Sequence, residues 1–291
     1  MKTLILGGTG VAGTHMAIEF RKSHEVKTVA RTGKADIKMD VSDFPKLKRL
    51  VRGYDVVINC VKQPISAEEM EKDKPSATRL NTTLPSMLAK WQRQFGYLLV
   101  HISSDWVYEG VDGETYNEQS RTRPINFYGR TKLDAEKMVR KHARKHLIIR
   151  AEGIFGLDEK RTNMYLRLKD LHGTGTSNTN NPFRATYDQY AQPICGAELA
   201  RITRLLVEGS KRGTFNVTGK EYISRIEFAL LLKKAFRLDT QIIHIFAIER
   251  NIRIPRFLKV DTSKAEKAIG KIKTLAEQFN DLKETEGNHG F

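Results

Sequence analysis

Cysteine is scarce in this chain, with only Cys60 and Cys195 among 291 residues. They lie far apart and lack metal-ligand spacing, which excludes a disulfide-rich scaffold and gives no indication of a metal site. We therefore expect no metal and two buried free thiols, in a reducing, cytoplasmic compartment. No apolar run approaches the roughly 18 residues that a membrane helix needs. The run at residues 4–6 stops at glycine after three residues, so we expect neither a membrane contact nor a signal peptide.

Acidic residues are also in the minority: 34 Asp and Glu stand against 50 Lys and Arg, a net charge of +16. Such an excess favours anionic partners, either nucleic acid or a small molecule carrying phosphates. The most basic run, residues 137–146, has Met138, Val139 and Ala143 among its charges and no aromatic residue that could stack on a base. This pattern is typical of the solvated face of a surface helix. We expect a phosphate-bearing small molecule and no nucleic acid.

Short apolar runs alternate with amphipathic stretches through the first half of the chain. Four runs and a later fifth predict strands: Thr3-Leu6, Val26-Val29, Asp55-Val61, Tyr97-Ile102 and 147–149. Four stretches between them predict helices: Val11-Lys22, Phe44-Arg52, Ser76-Gln94 and Tyr128-Lys145. Continuous apolar strands that alternate with helices indicate a parallel sheet covered on both faces. The sequence predicts an α/β, Rossmann-type doubly wound sheet.

Beyond Arg150 the alternation weakens. Residues 172–185 form a polar, turn-rich segment, and helices are predicted near 196–208, 225–236 and from 262, with a strand at 214–217. We expect residues 1–150 to be an NAD(P)-binding core. Residues 151–291 would mainly form a smaller C-terminal substrate-binding lobe over the carboxyl ends of the strands, with some segments returning to the core.

A glycine-rich turn follows the first predicted strand and opens the first predicted helix. Gly7, Gly10 and Gly13 would allow a tight turn and a close approach to a pyrophosphate, together with the intervening Thr9 and Val11. A glycine triplet alone is a weak signal, since ordinary turns contain it too. Its strand–turn–helix setting predicts a dinucleotide site.

The end of the second strand bears on which dinucleotide is bound. A site specific for NAD places Asp or Glu there to hold the ribose 2′-hydroxyl, whereas this chain has Arg31 and Thr32. These residues predict binding of a 2′-phosphate, and hence NADP(H) in preference to NAD(H); a solvent-facing arginine is the alternative. Asp40 and Val41 could flank the adenine, although Asp also starts turns.

Three residues in sequence order suit the reduction of a carbonyl. Tyr128 and Lys132, one helical turn apart, share a helix face. The lysine would lower the tyrosine pKa from its usual value of about 10 and hold the nicotinamide ribose. Tyr128 would be the general acid and Ser104 would polarise the carbonyl oxygen, while Asn81 could support Lys132 through water. A surface Tyr/Lys pair is the alternative, but the glycine-rich turn argues against it.

These motifs resemble the extended short-chain dehydrogenase/reductase superfamily, and within it the dTDP-4-dehydrorhamnose reductase family. The block Ser-Thr-Asp-Tyr-Val-Phe-x-Gly is similar to residues 103–110, and Pro-x-x-x-Tyr-Gly-x-(Ser/Thr)-Lys is similar to 124–132. Further similarities lie at 150–156, at 188–193 and near 258–264, so the resemblance spans nearly the whole chain.

The resemblance implies NAD(P)H-dependent reduction of a nucleotide-linked 4-keto-6-deoxyhexose by a monomer or homodimer. It places Cys60 and Val61 beside the cofactor. It also implies a set of substrate-binding residues: Ser104, Asp105, Trp106, Val107, Tyr128, Gly153, Asp188 and Gln189.

Three departures from the family pattern bear on the substrate. Lys62 puts a bulky cation near the expected nicotinamide edge, Gly153 replaces a tryptophan that could stack on a sugar, and the 172–185 segment is long. The resemblance also extends to the regulatory subunit of methionine adenosyltransferase, a non-catalytic protein that binds NADP. A nucleotide-sugar epimerase or dehydratase is a further alternative. The intact serine, tyrosine and lysine argue against a purely regulatory role.

Overall fold

The computed structural model describes residues 1–173 and 182–289. Strands in the described residues, numbered in chain order, are β1 (Lys2–Leu6), β2 (Glu25–Ala30), β3 (Ile37–Lys38), β4 (Val56–Asn59), β5 (Leu98–Ser104), β6 (Thr115–Tyr116), β7 (His146–Ala151), β8 (Phe183–Thr186), β9 (Tyr190–Ala191), β10 (Gly213–Asn216), β11 (Ile223–Ser224), β12 (Ile242–Ile245) and β13 (Lys259–Val260). The α-helices are α1 (Val11–Phe20), α2 (Phe44–Val51), α3 (Ala67–Lys72), α4 (Lys74–Thr78), α5 (Leu84–Phe95), α6 (Phe127–His142), α7 (Met164–Asp170), α8 (Gly196–Glu208), α9 (Arg225–Ala235), α10 (Ser263–Ile269) and α11 (Leu275–His289).

Seven of these strands form one parallel sheet, in the order β10-β7-β5-β4-β1-β2-β3. The chain starts at β1, builds outward to β3, and then crosses to β4 and builds in the opposite direction. The crossover creates a crevice outside the carboxyl ends of β1 and β4, which is where doubly wound sheets bind ligands. The predicted Rossmann-type fold is confirmed.

Helices cover both faces of the sheet because its strands are apolar on both sides. On one face α1 and α8 pack together, burying Met16, Phe20 and Leu206 against the strands. On the other face α2, α5 and α6 bury side chains that include Leu47 and Leu88. Two apolar layers of this kind hold the carboxyl edge of the sheet in a fixed position.

The C-terminal half contributes to both parts of the molecule. Strand β10 pairs with β7 at the edge of the central sheet, and α8 packs on α1, so both return to the core. Helices α7, α9 and α11 enclose a separate apolar cluster around Phe155, Tyr165, Phe228 and Phe279. This second cluster is built from residues beyond 150, and the division into a core and a smaller substrate-binding lobe stays a prediction.

The predicted helix 76–94 is interrupted. A turn of π-helix at Arg79–Thr83 separates α4 from α5, and α3, which begins at a capping box of Ser66 and Glu69, was not predicted. π-Helical turns often occur at functional sites, and this one carries the buried Asn81. The predicted C-terminal helical segment is likewise two helices, α10 and α11.

Both cysteines are free thiols, as predicted, but only Cys195 is fully buried, whereas Cys60 is partly exposed. None of the described helices combines the length and apolar character needed to cross a bilayer.

Candidate active site

The glycine-rich turn between β1 and α1 is shaped to leave room for a ligand. Gly7 has a positive φ of 80°, and a Cβ at Gly13 would collide with the Gly7 carbonyl. A Cβ at Gly10, by contrast, would have no neighbour closer than 3.6 Å. Gly10 begins α1, and no acidic residue lies in the first helical turn. The turn thus leaves space beside the N-terminus of α1, where the positive end of the helix dipole favours phosphate.

The residues expected to hold the adenosine end lie in different surroundings. Arg31 and Thr32 are exposed on the turn after β2. Asp40 accepts the main-chain N–H of Ser42 at 2.8 Å, so its carboxylate closes a local turn. Val41 is buried in the core. Arg31 and Thr32 are therefore free to meet a ligand, whereas Asp40 and Val41 have clear structural roles.

Cys60 and Val61 directly face the glycine-rich turn. A Cβ at Gly7 would lie 3.2 Å from the Cys60 main chain and 3.3 Å from Val61. This close approach joins the ends of β1 and β4, so the two residues line the crevice in which a dinucleotide is expected.

Ser104 and Tyr128 meet at the carboxyl end of β5. Ser104 is the last residue of that strand, and its Oγ accepts the main-chain N–H of Trp106 at 3.2 Å. Tyr128 lies in the first turn of α6, which is capped by Asn126. Its ring packs edge-on against the Trp106 ring, with the two ring centroids 5.5 Å apart. Burial raises the pKa of Tyr128, and its hydrogen bond with Ser104 lowers that pKa only in part.

Lys132 is buried one helical turn beyond Tyr128 and donates its Nζ to the Ile102 carbonyl at 2.7 Å. Burial first, and then the charge of Lys62, lowers the pKa of Lys132 to about 8. Lys132 is not among the groups that shift the Tyr128 pKa, and burial and Glu152 raise that pKa instead. The expected lowering of the tyrosine pKa by the lysine therefore does not dominate here.

Asn81 occupies the π-helical turn behind these residues. Its Oδ1 accepts the main-chain N–H of Gln63 at 2.9 Å, and its Nδ2 donates to Thr131 Oγ1 at 3.1 Å. These contacts tie the segment after β4 to α6. Support of Lys132 by Asn81 through water stays a prediction.

Two buried carboxyl groups lie beside Tyr128. Burial raises the pKa of both Asp105 and Glu152, and each of the two groups also shifts the pKa of the other. Glu152 also makes an ion pair of 3.5 Å with Arg225, the first residue of α9. The sequence singled out Asp105 alone. Glu152 lies beside the predicted Gly153, but nothing in the sequence indicates that Arg225 would reach it from 73 residues away.

A cavity of about 330 Å³ opens in front of this group. Tyr128, Trp106, Gly153 and Gln189 line it. Four cations and two acids complete its charged wall: Lys62, Arg167, Arg225, Arg250, Glu68 and Glu152. The excess of positive charge suits an anionic ligand.

Two polar atoms in the cavity wall have no partner in the described part of the chain, Trp106 Nε1 and Gln189 Oε1, although both are buried. A buried donor and a buried acceptor without partners are unusual in a folded protein. Both belong to residues that were predicted to bind substrate.

Two other predicted substrate residues lie elsewhere. Val107 is fully buried in an apolar cluster with Tyr108 and Leu258, so its side chain packs in the core. Asp188 pairs with Arg256 at 3.1 Å and lines a neighbouring cavity of about 650 Å³. Arg250 borders both cavities. In the predicted 172–185 loop, residues 174–181 lie outside the described residues.

No set of three or more His, Cys, Asp or Glu side chains within residues 1–173 and 182–289 is arranged to hold a metal ion.

Comparison with known proteins places the chain in a family. The model of the RmlD substrate binding domain matches residues 1–284. The chain belongs to the RmlD substrate binding domain family. The matched residues include the glycine-rich turn, Ser104, Tyr128 and Lys132.

Proteins with different activities in their names are similar to the chain. Methionine adenosyltransferase 2 subunit beta of Rattus norvegicus is 25% identical over 276 residues, covering 91% of this chain and 81% of the relative. A dTDP-4-dehydrorhamnose reductase of Mycolicibacterium smegmatis is 33% identical over 140 residues, 47% of this chain and 41% of the relative. The structure of dTDP-4-dehydrorhamnose reductase from Bacillus anthracis in complex with NADP has a TM-score of 0.85 at 19% identity, covering 98% and 99% of the two chains.

Proposed function

We propose that this protein is an NAD(P)H-dependent reductase of a nucleotide-linked 4-keto-6-deoxyhexose, of the dTDP-4-dehydrorhamnose kind. The observation that carries the proposal is the meeting of Ser104 and Tyr128 beside an open cavity, with Lys132 one helical turn beyond. The glycine-rich turn lies at the same edge of the sheet. A carbonyl reductase needs this arrangement, because proton and hydride must reach the two atoms of one carbonyl.

The crevice fits a nicotinamide dinucleotide. The open backbone at Gly10 and the start of α1 would hold the diphosphate, and Arg31 with Thr32 would favour NADP(H) over NAD(H). Lys132, Cys60 and Val61, together with Asn81 behind them, would border the nicotinamide end. When bound, the reduced nicotinamide supplies hydride for the carbonyl carbon. NADP in the related Bacillus anthracis structure supports this assignment.

The protein's own side chains would supply the proton and position the substrate oxygen that receives it. Tyr128 would donate its phenolic proton to the substrate oxygen, and Ser104 would donate a hydrogen bond that holds that oxygen in place. The raised pKa of Tyr128 keeps the phenol protonated through neutral pH. Lys132 would bind the ribose, since its Nζ has donor capacity beyond the bond to Ile102.

The cavity suits a sugar diphosphate. The unpartnered Trp106 Nε1 and Gln189 Oε1 would bond to sugar hydroxyls, and the surplus of arginine would attract the diphosphate. Gly153 has a φ of 55°, and a Cβ there would lie 3.2 Å from Pro193, so the backbone fits glycine and leaves space where a large side chain would otherwise project.

The decisive experiment is NADPH oxidation by the purified chain with a panel of dTDP-, UDP- and GDP-linked 4-keto-6-deoxy sugars, with product analysis. We expect turnover with at least one sugar, and strongest turnover with one nucleotide base. Absence of turnover across the panel, with NADPH binding intact, would reject the reductase.

We infer a second candidate, a non-catalytic NADP-binding subunit, because the similarity to methionine adenosyltransferase 2 subunit beta extends over 91% of the chain. The charge of Lys62 near Lys132 also fits a site that binds a cofactor without turnover. For either candidate we propose a cytoplasmic monomer or homodimer, in keeping with the free thiols.

A further inference from the structure

The segment after β7 crosses over to the cofactor crevice at Glu159. The Glu159 main-chain N–H donates to the Thr9 carbonyl in the glycine-rich turn at 3.3 Å. Its carboxylate accepts the main-chain N–H of Lys34 with both oxygens, at 2.9 and 3.0 Å. One residue of the C-terminal half thus bridges the two loops expected to surround the adenosine end of the cofactor.

The carboxylate lies where a phosphate would be favoured. Gly33 has a φ of 84° and no side chain, and a Cβ there would collide with the Glu159 carboxylate. Exposed Arg31 and Lys34 flank this glycine. Main-chain N–H groups in a tight turn beside cations form a typical anion site, and in this structure Glu159 supplies the anion.

We propose that Glu159 is a selectivity residue that occupies the 2′-phosphate position of the cofactor site and opposes NADP(H) relative to NAD(H). The proposal rests on the proposed cofactor site but not on the reductase activity. A 2′-phosphate would compete with the Glu159 carboxylate for the Lys34 N–H and would be repelled by its charge. A 2′-hydroxyl would meet neither obstacle. The attraction of Arg31 for NADP(H) is therefore partly offset by an acid that lies 128 positions further along the chain.

Glu159→Gln tests the proposal, because it removes the charge and keeps the size of the side chain. We expect the variant to bind NADPH about five- to ten-fold more tightly than the wild type, the range expected for one like-charge contact at a surface. NADH affinity should change by less than about two-fold. The gain in NADPH affinity should shrink as salt is raised, because exposed charges are screened.

The measurement is a direct titration of NADPH and NADH into wild type, Glu159→Gln and Glu284→Gln. Glu284→Gln removes one negative charge, as Glu159→Gln does, but on the exposed surface of α11. It therefore controls for long-range attraction and should leave both affinities unchanged. Hydrogen exchange at the Lys34 amide, measured without cofactor, should accelerate in Glu159→Gln alone, since its acceptor is weakened.

Unchanged NADPH affinity in Glu159→Gln would overturn the proposal and leave the cofactor site intact. Weaker NADH binding with unchanged NADPH binding would also overturn it, because Glu159 would then be a ligand of the ribose hydroxyl. If the wild type binds neither cofactor, the cofactor site and this proposal both fail. If it binds NADPH but reduces no sugar, only the reductase proposal fails, and the Glu159 result stands.

Discussion

Asp105 directly after β5 and Glu152 directly after β7 lie close enough for each carboxyl to shift the pKa of the other, and the charges of both also raise the pKa of Tyr128. Burial and then the negative charge of Glu152 raise the pKa of Asp105, so Asp105 is the carboxyl that more readily keeps its proton. Burial raises the pKa of both groups, and the charge of Glu152 adds to the raised pKa of Tyr128. The protonation of Asp105 and Glu152 is therefore coupled to that of Tyr128, the proposed general acid.

Replacing Glu152 by Gln should move the pH profile of the reaction. Removal of its charge lowers the pKa of Tyr128, so the phenol loses its proton at a lower pH. We predict that the alkaline limb of kcat/KM shifts toward neutral pH in Glu152→Gln relative to the wild type. Glu68→Gln, also in the cavity wall but absent from the groups that shift Tyr128, is the matched control. An unshifted limb in Glu152→Gln would mean that the two groups are not coupled.

The same pair should make stability depend on pH. A carboxyl with a raised pKa in the folded state holds its proton longer than in the unfolded chain, so the free energy of unfolding falls as pH rises from about 4. Asp105→Asn should remove much of this fall and raise stability at pH 7 by on the order of 1 kcal/mol. Urea unfolding of both proteins at pH 4 to 8 measures the effect. Parallel stability curves would contradict the assignment.

The titration of Lys132 should make the affinity for the cofactor depend on pH. Because its pKa is lowered to about 8, Lys132 loses its charge as pH rises through that value. We predict that NADPH affinity falls between pH 7 and 9 by about 1 kcal/mol, as expected when a charged hydrogen-bond donor becomes neutral. Lys132→Met should bind more weakly at pH 7 and lack this fall. Equal pH dependence in both proteins would remove Lys132 from the cofactor site.

Arg31 should favour binding of the cofactor that carries a 2′-phosphate. Arg31→Ala is expected to weaken the binding of NADPH by about 1–3 kcal/mol, as is typical of a charge-assisted hydrogen bond. The binding of NADH should be nearly unchanged. Calorimetric titration with both cofactors is suitable, with the exposed Arg52→Ala at the C-terminal end of α2 as control. Equal losses for both cofactors would show that Arg31 does not contact a 2′-phosphate.

The central sheet could be predicted because local pattern determines it. Runs such as residues 98–102 are mainly apolar, as is typical of a strand buried on both faces, and Gly7 and Gly13 mark a turn whose close contacts leave no room for a side chain. The π-helical turn at residues 79–83 could not be predicted, since its cause is long-range: Asn81 bonds to Gln63 and Thr131.

The proposed catalytic group could be predicted from the spacing of Tyr128 and Lys132 on one helix, together with Ser104 and the glycine-rich turn upstream. The rest of the site depends on contacts between distant segments. Glu152 meets Arg225 across 73 residues and Glu159 meets Lys34 across 125. Neither pair has a periodicity or a motif, so only the folded chain brings these charges together.

Tyr128→Phe tests the central claim most directly. The substitution keeps the ring against Trp106 and removes only the proton donor, so NADPH titration should give an affinity close to that of the wild type. Single-turnover reduction of the preferred 4-keto sugar should slow by about two to four orders of magnitude, the range for a positioned general acid. Reduction at the wild-type rate would contradict the account.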